Sequence, residues 1–87
     1  IIPYDPERGW EFYKIEMDPG VIHRSEAHSD GVEETVTVIN GQVLVEAGGM
    51  KEHLIKGETL VFSASQEHQY VNPTNEMTTL HLIIQYR

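Results

Sequence analysis

Residues 19–41 read PGVIHRSEAHSDGVEETVTVING, and the second half of this stretch alternates as a half-buried β-strand does. Successive side chains of a strand point to opposite faces, so Val36 and Val38 share one face and the neighbouring threonines take the other. We predict that the valine face points inward. Glu34 has the parity of the two valines, so its carboxylate is expected to project into the interior, where a buried charge needs a partner.

Turn-forming residues recur along the chain at intervals of about eight to twelve residues, a rhythm typical of an all-β sandwich or barrel. They comprise Asp18-Pro19-Gly20, Asn40-Gly41, Gly48-Gly49, Lys56-Gly57 and Asn72-Pro73-Thr74. Between them, short β-prone segments predict strands over residues 12–17, 34–39, 42–47, 51–55, 59–62, 68–71 and 78–86. Residues 80–84 are apolar except for His81, so we expect both faces of the last strand to pack, the outer one against a helix or second subunit.

The length and charge of the chain bound its organisation. Its 87 residues suffice for one domain, with a core so small that a bound metal or a partner subunit would add stability. The net charge of −8, from 14 acidic and 6 basic residues, disfavours contact with nucleic acid or an anionic membrane. Cysteine and long apolar runs are absent, so we expect a soluble cytoplasmic protein. The start at Ile1 rather than Met leads us to expect a fragment of a longer chain.

Three segments carry polar side chains that could converge on one site. Glu26 and His28 share a face if their segment is extended, and His68 shares a face with Tyr70 on a later strand. Glu34 is expected to point into the same interior. Two imidazoles and a carboxylate with open positions left over suit a divalent first-row metal, such as iron, manganese, nickel, copper or zinc. The candidate metal ligands are therefore His28, Glu34 and His68.

Three further residues are candidate ligand contacts, each with an ordinary structural alternative. Glu26 is either an additional ligand or a solvated carboxylate of a turn. Tyr70 either contacts a ligand or holds its hydroxyl at the barrel rim. His81, alone among apolar neighbours, either satisfies a hydrogen bond in the core or lines the same cavity. In contrast, His23 is expected at the surface, and Asn72 is expected to serve the turn that follows it.

The spacing of these residues resembles the two sequence motifs of the cupin family. The matching positions are Pro19-Gly20, Glu26-Ala27-His28, Glu34 and Gly41 in the first motif, and Gly57, His68 and Asn72 in the second. Glu26 stands where the family has its first histidine, and five residues rather than three or four separate His28 from Glu34. The resemblance implies an all-β, small antiparallel barrel of the double-stranded β-helix or jelly-roll type over residues 1–87, with its metal position at His28, Glu34 and His68.

Within that family, the chain resembles the C-terminal sensor domain of bacterial transcriptional regulators that carry an N-terminal helix-turn-helix domain of the XRE type. The likeness is carried by Gly31-Val32-Glu33-Glu34, Phe62-Ser63-Ala64 and His68-Gln69-Tyr70-Val71-Asn72. It implies a small-molecule effector, a homodimer, and DNA contact only through an upstream domain absent from this chain. Two alternatives stay open: a small metal-dependent enzyme, either a dioxygenase or an isomerase, and a dimerisation module with a vestigial pocket.

Overall fold

The computed structural model describes residues 9–27 and 31–86, which form eight strands and no helix. The strands are β1 (Trp10–Met17), β2 (Ile22–Ser25), β3 (Glu33–Asn40), β4 (Gln42–Ala47), β5 (Met50–Ile55), β6 (Thr59–Ser63), β7 (His68–Val71) and β8 (Thr78–Gln85). Seven of them correspond to the predicted strands. The short strand β2 was not predicted, because its side chains are mostly exposed and show no apolar alternation.

The strands form two four-stranded sheets. The first has the order β1-β8-β3-β6 and the second has the order β2-β7-β4-β5, and every paired neighbour is antiparallel. The buried side chains of both sheets form one hydrophobic core. The prediction of an all-β antiparallel barrel of jelly-roll type is therefore confirmed. No helix in the described part of the chain is long and apolar enough to cross a membrane.

The hydrophobic core contains the valines of β3 that the alternating sequence predicted to point inward. Val36 and Val38 of β3 are at most 1% exposed, and they share the core with Val43 and Val45 of β4, which are fully buried. Full burial of a valine or leucine side chain contributes about 1.5–3 kcal/mol, so these residues carry much of the stability of a small domain. The predicted inward orientation of the valine face is confirmed, and Glu34 is buried with it.

Two residues of the turns fix how the sheets meet. Gly41, between β3 and β4, has φ of 86°, and a Cβ there would lie 2.5 Å from Thr78 Oγ1. Asn72 is fully buried after β7, and its Nδ2 lies 3.0 Å from the Met17 carbonyl and 2.6 Å from the Glu76 carbonyl. Its Oδ1 accepts hydrogen bonds from the backbone and hydroxyl of Thr74. Asn72 thus serves the turn, as predicted, and also ties the end of β1 to the β7–β8 connection.

Candidate ligand-binding site

A cavity of about 620 Å³ opens between the two sheets. One wall comes from β1, β3 and β8, and the other comes from β2 and the two residues that follow it. The described residues that line the cavity are Glu11, Tyr13, Lys14, Ile15, His23, Ser25, Glu26, Ala27, Glu34, Leu82 and Ile84. Its volume lies within the range of known small-molecule pockets.

Strand register arranges the deepest polar groups of this cavity in a row. Glu11 of β1 and Glu34 of β3 are both paired with Ile84 of β8, one from each side. Two strand spacings separate the carboxylate-bearing residues, which puts their Cα atoms about 10 Å apart. The wall of the first sheet therefore presents a carboxylate on each side of an apolar side chain.

The Glu34 carboxylate lies at the centre of a buried hydrogen-bonded network. Its Oε2 lies 2.7 Å from His68 Nε2, and its Oε1 accepts a 2.6 Å hydrogen bond from the Tyr70 hydroxyl. All three residues are at most 2% exposed. Two sequence predictions are confirmed here: the inward orientation of Glu34, and the shared face of His68 and Tyr70, which the structure shows to be an inner one.

The hydrogen bond of His68 Nδ1 shows how many protons this network holds. Nδ1 lies 2.9 Å from the Gln66 carbonyl, to which it can only donate. The short contact between Nε2 and Glu34 then holds a further proton, shared between imidazole and carboxylate. The hydrogen bond to Glu34 raises the pKa of His68, although burial acts in the opposite direction. Burial is the main cause that raises the pKa of Tyr70, and the neighbouring Glu34 charge adds to it.

The ring of Phe62, a residue of the hydrophobic core, packs against this network. Phe62 is paired with Glu34 across β3 and β6, and its ring meets His68 edge-on with centroids 5.5 Å apart. It meets the Tyr70 ring in a similar way at 6.3 Å. An apolar surrounding of this kind lowers the local dielectric constant, which strengthens the bonds within the network and makes their loss more costly.

A second hydrogen-bonded group at Glu11 was not predicted. The Tyr13 hydroxyl donates to Glu11 Oε2 at 2.5 Å, and the Tyr86 hydroxyl donates to Oε1. The bond to Glu11 is the main cause that raises the pKa of Tyr13, whereas burial is the main cause that raises the pKa of Tyr86. The predicted strand began at Phe12, two residues after the start of β1, and so left out Glu11. Extending the alternation of Tyr13 and Ile15 backward would have put Glu11 on the inner face.

The other candidate residues that the structure describes lie at different distances from the cavity. Glu26 lines the cavity at its exposed mouth, and His28 lies outside the described residues. His23, expected at the surface, is exposed but also lines the cavity, because it is paired with the inward-facing Tyr70. His81 is not brought to the site. It has the parity of Ile83 rather than Leu82, so it lies on the outer face of β8 and packs edge-on against Phe12 with centroids 5.0 Å apart.

The described residues do not by themselves form a metal site. They contain no group of three histidine, cysteine, aspartate or glutamate side chains arranged to hold a metal ion. Glu34 and His68 would supply two ligands, and the third predicted ligand, His28, lies outside the described part of the chain. A bound metal therefore stays a prediction.

Two antiparallel sheets that enclose a cavity, with an acid–imidazole pair on the inner wall, are the features of a cupin domain. The chain belongs to the Cupin domain family (Cupin_2), whose model matches residues 13–84. Membership is consistent with both motifs of the sequence: Glu34 comes from the first, and His68 and Asn72 come from the second.

The chain is similar to domains of bacterial transcriptional regulators. It is 36% identical over 86 residues to the HTH-type transcriptional regulator SutR of Escherichia coli (strain K12), an alignment that covers 99% of this chain and 48% of that protein. Two crystal structures are also similar. One is the Cupin_2 domain of an XRE family transcriptional regulator from Enterobacter cloacae, with a TM-score of 0.93, 26% identity, and coverage of 100% of this chain and 92% of that one.

The other crystal structure is an HTH_3 family transcriptional regulator from Vibrio cholerae. Its TM-score is 0.92 at 28% identity, and the match covers 100% of this chain and 48% of that one. This chain thus spans about half the length of SutR and of the Vibrio cholerae regulator chain.

Proposed function

We propose that this chain is the small-molecule-sensing domain of a transcriptional regulator. The observation that carries the proposal is the Glu34–His68–Tyr70 network, buried next to the cavity between the sheets of a domain similar to parts of three regulators. In this proposal a ligand enters between β2 and the first sheet and contacts Glu34. Its differential affinity for two states of the full regulator changes DNA binding.

The buried charge of the network supports a role in binding rather than in stability alone. Removing a carboxylate and an imidazole from water costs several kcal/mol, and an apolar pair of similar volume would often serve the fold as well. A buried titratable pair next to a cavity is the arrangement expected of a binding site. The alternative of an enzyme has no comparable support, because the described residues provide no second acid–base pair next to the network beyond the phenol-bonded Glu11.

In this proposal, DNA binding and dimerisation use surfaces other than the ligand cavity. With a net charge of −8, this domain is unsuited to the DNA backbone, so a separate helix-turn-helix domain makes that contact in the cytoplasm. A second copy of the domain packs on the outer face of the first sheet, where Phe12, Val61 and Ile83 lie. Light scattering of the purified domain tests this assembly, and a monomeric mass at high concentration would contradict it.

A divalent metal is a second candidate occupant, favoured by the convergence of Glu34 and His68, and it would replace the proton that these two side chains share. When bound, a metal would attract the polar groups of a ligand, with Glu34, His68 and the predicted His28 as its ligands. Mass spectrometry of purified domain tests this candidate. Stoichiometric metal that is lost in His68→Ala is expected if a metal is resident, and equal metal content in both proteins would contradict it.

The sensing proposal is tested by screening metabolites for binding to the wild-type domain, with affinities measured by calorimetry. Glu34→Gln should weaken binding of any ligand found by about tenfold, because it removes one charged partner in a buried site. Glu52→Gln is the matched control, since Glu52 carries the same charge, is exposed on β5 and does not line the cavity. Equal effects of the two substitutions would refute the role of Glu34 in binding.

A further inference from the structure

Acidic side chains outnumber basic ones in the described lining of the cavity. Among its described lining residues, Glu11, Glu26 and Glu34 are carboxylates, while Lys14 is the one ammonium. Lys14 is exposed and shares its strand parity with Glu16, opposite to that of the inward-facing Ile15. Its Nζ lies 3.5 Å from the Glu16 carboxylate, which does not line the cavity. The proton shared with His68 offsets the charge of Glu34. Glu11 and Glu26 still outnumber Lys14 in the lining, so the potential inside the cavity favours positive charge.

The two deeper carboxylates are held in place by hydrogen bonds of the fold. Glu34 accepts from Tyr70 and contacts His68, and Glu11 accepts from Tyr13 and Tyr86. These bonds orient the two carboxylates on the cavity wall. They also fix the wall before any ligand arrives, which reduces the entropy cost of binding.

Glu26 differs from these two residues. It follows β2 at the mouth of the cavity and is exposed, and within residues 9–27 and 31–86 its side chain forms no hydrogen bond or ion pair. An exposed carboxylate of this kind is well placed to receive a charged ligand group without the desolvation cost of a buried ion pair.

An apolar strip completes the lining. Ile15, Leu82 and Ile84 line the same cavity, and Leu82 and Ile84 are less than 10% exposed. A ligand that fits this wall has a hydrocarbon portion as well as a charged end, because apolar surface buried on binding contributes about 25 cal/mol per Å².

We infer that the cavity selects small organic cations: molecules with an ammonium group bound at Glu26 and a hydrocarbon body of a few carbons against Ile15, Leu82 and Ile84. This inference rests on the proposed sensing function and specifies its ligand class. Small organic anions are rejected, because they would approach Glu11 and Glu26, whose charges no proton shared with a histidine offsets.

The test uses three probes of one shape and different charge: n-pentylammonium, 1-pentanol and pentanoate. Each is titrated into the ¹⁵N-labelled domain at constant ionic strength, and amide shifts of the cavity residues are followed by NMR. Pentylammonium is expected to bind most tightly and pentanoate most weakly. Glu26→Gln should weaken pentylammonium binding about fivefold, the order expected for one partly exposed ion pair. Glu52→Gln, which removes an equal charge away from the cavity, should leave it unchanged.

The possible results separate this inference from the sensing function. Pentanoate binding as tightly as pentylammonium, or equal effects of Glu26→Gln and Glu52→Gln, would overturn the cation selectivity. If an anionic metabolite then shifts the amides of Glu34 and Leu82, the sensing proposal stands and only the ligand class is wrong. Absence of any shift with every probe and metabolite would overturn both proposals.

Discussion

Replacing Tyr70 with phenylalanine isolates the energy of one buried hydrogen bond at the site. The change keeps the ring that packs on Phe62 and His68, and it removes only the hydroxyl that donates to Glu34 at 2.6 Å. Hydrogen bonds to charged groups contribute about 1.5–3 kcal/mol. Because Glu34 is 1% exposed, water cannot readily replace the lost donor, and the upper part of that range is expected.

The assay is urea denaturation followed by tryptophan fluorescence. With a slope of about 1 kcal/mol per M for a domain of this size, Tyr70→Phe should lower the midpoint by roughly 2 M. Tyr13→Phe is the control, since it removes a hydroxyl from the less buried carboxylate Glu11 and should cost about 1 kcal/mol. A cost below about 0.5 kcal/mol for Tyr70→Phe would refute the strength assigned to this network. Full additivity with Glu34→Gln would show that the two side chains are not coupled.

Three other predictions concern the same framework. Because the folded pKa of His68 is raised above 6.5, its stabilising contribution should be present below pH 6.5 and lost as pH rises through the folded pKa. The difference in unfolding free energy between wild type and His68→Gln, measured at several pH values, should therefore shrink toward alkaline pH; a constant difference would contradict the shift. Gly41→Ala should destabilise the domain by about 2 kcal/mol or more, since the new Cβ meets Thr78 Oγ1 at 2.5 Å, and thermal unfolding measures it. Asn72→Ala should cost about 2–4 kcal/mol by leaving buried carbonyls without a donor, and hydrogen exchange should increase at the turn before β2; unchanged exchange would contradict this role.

Strand parity is the reason that the inner wall could be predicted from the sequence. Glu34 shares the parity of Val36 and Val38, so parity predicted its inward direction, whereas for His68 parity predicted only a face shared with Tyr70. The contact between Glu34 and His68 depends on how the two sheets pack. Parity alone could not supply it, but the spacing of the two cupin motifs indicated it.

Strand β2 and His81 mark where sequence patterns failed. Strand β2 is exposed on almost every residue, and it is extended because it pairs with β7, with its turn held by Asn72. The local sequence of β2 cannot predict a strand that depends on pairing with a distant segment. His81 lies in an apolar run in which neither face stands out as polar, so the sequence left open whether it lines the cavity, and only the pairing of β8 with β1 and β3 resolves its outward direction.

The inner face of β7 links the fold to the site. Asn72 holds the β1–β2 turn, Tyr70 donates to Glu34, and His68 contacts the same carboxylate. His68 and Tyr70 alternate along β7, and Asn72 continues the alternation directly after its end, so a shift of register by one residue would remove all three roles together. The anchor of the fold and the acid–imidazole pair of the cavity therefore depend on the same strand. Because β7 is the one strand paired with β2 within the described residues, the position of the cavity mouth is set by the strand that also carries the buried network.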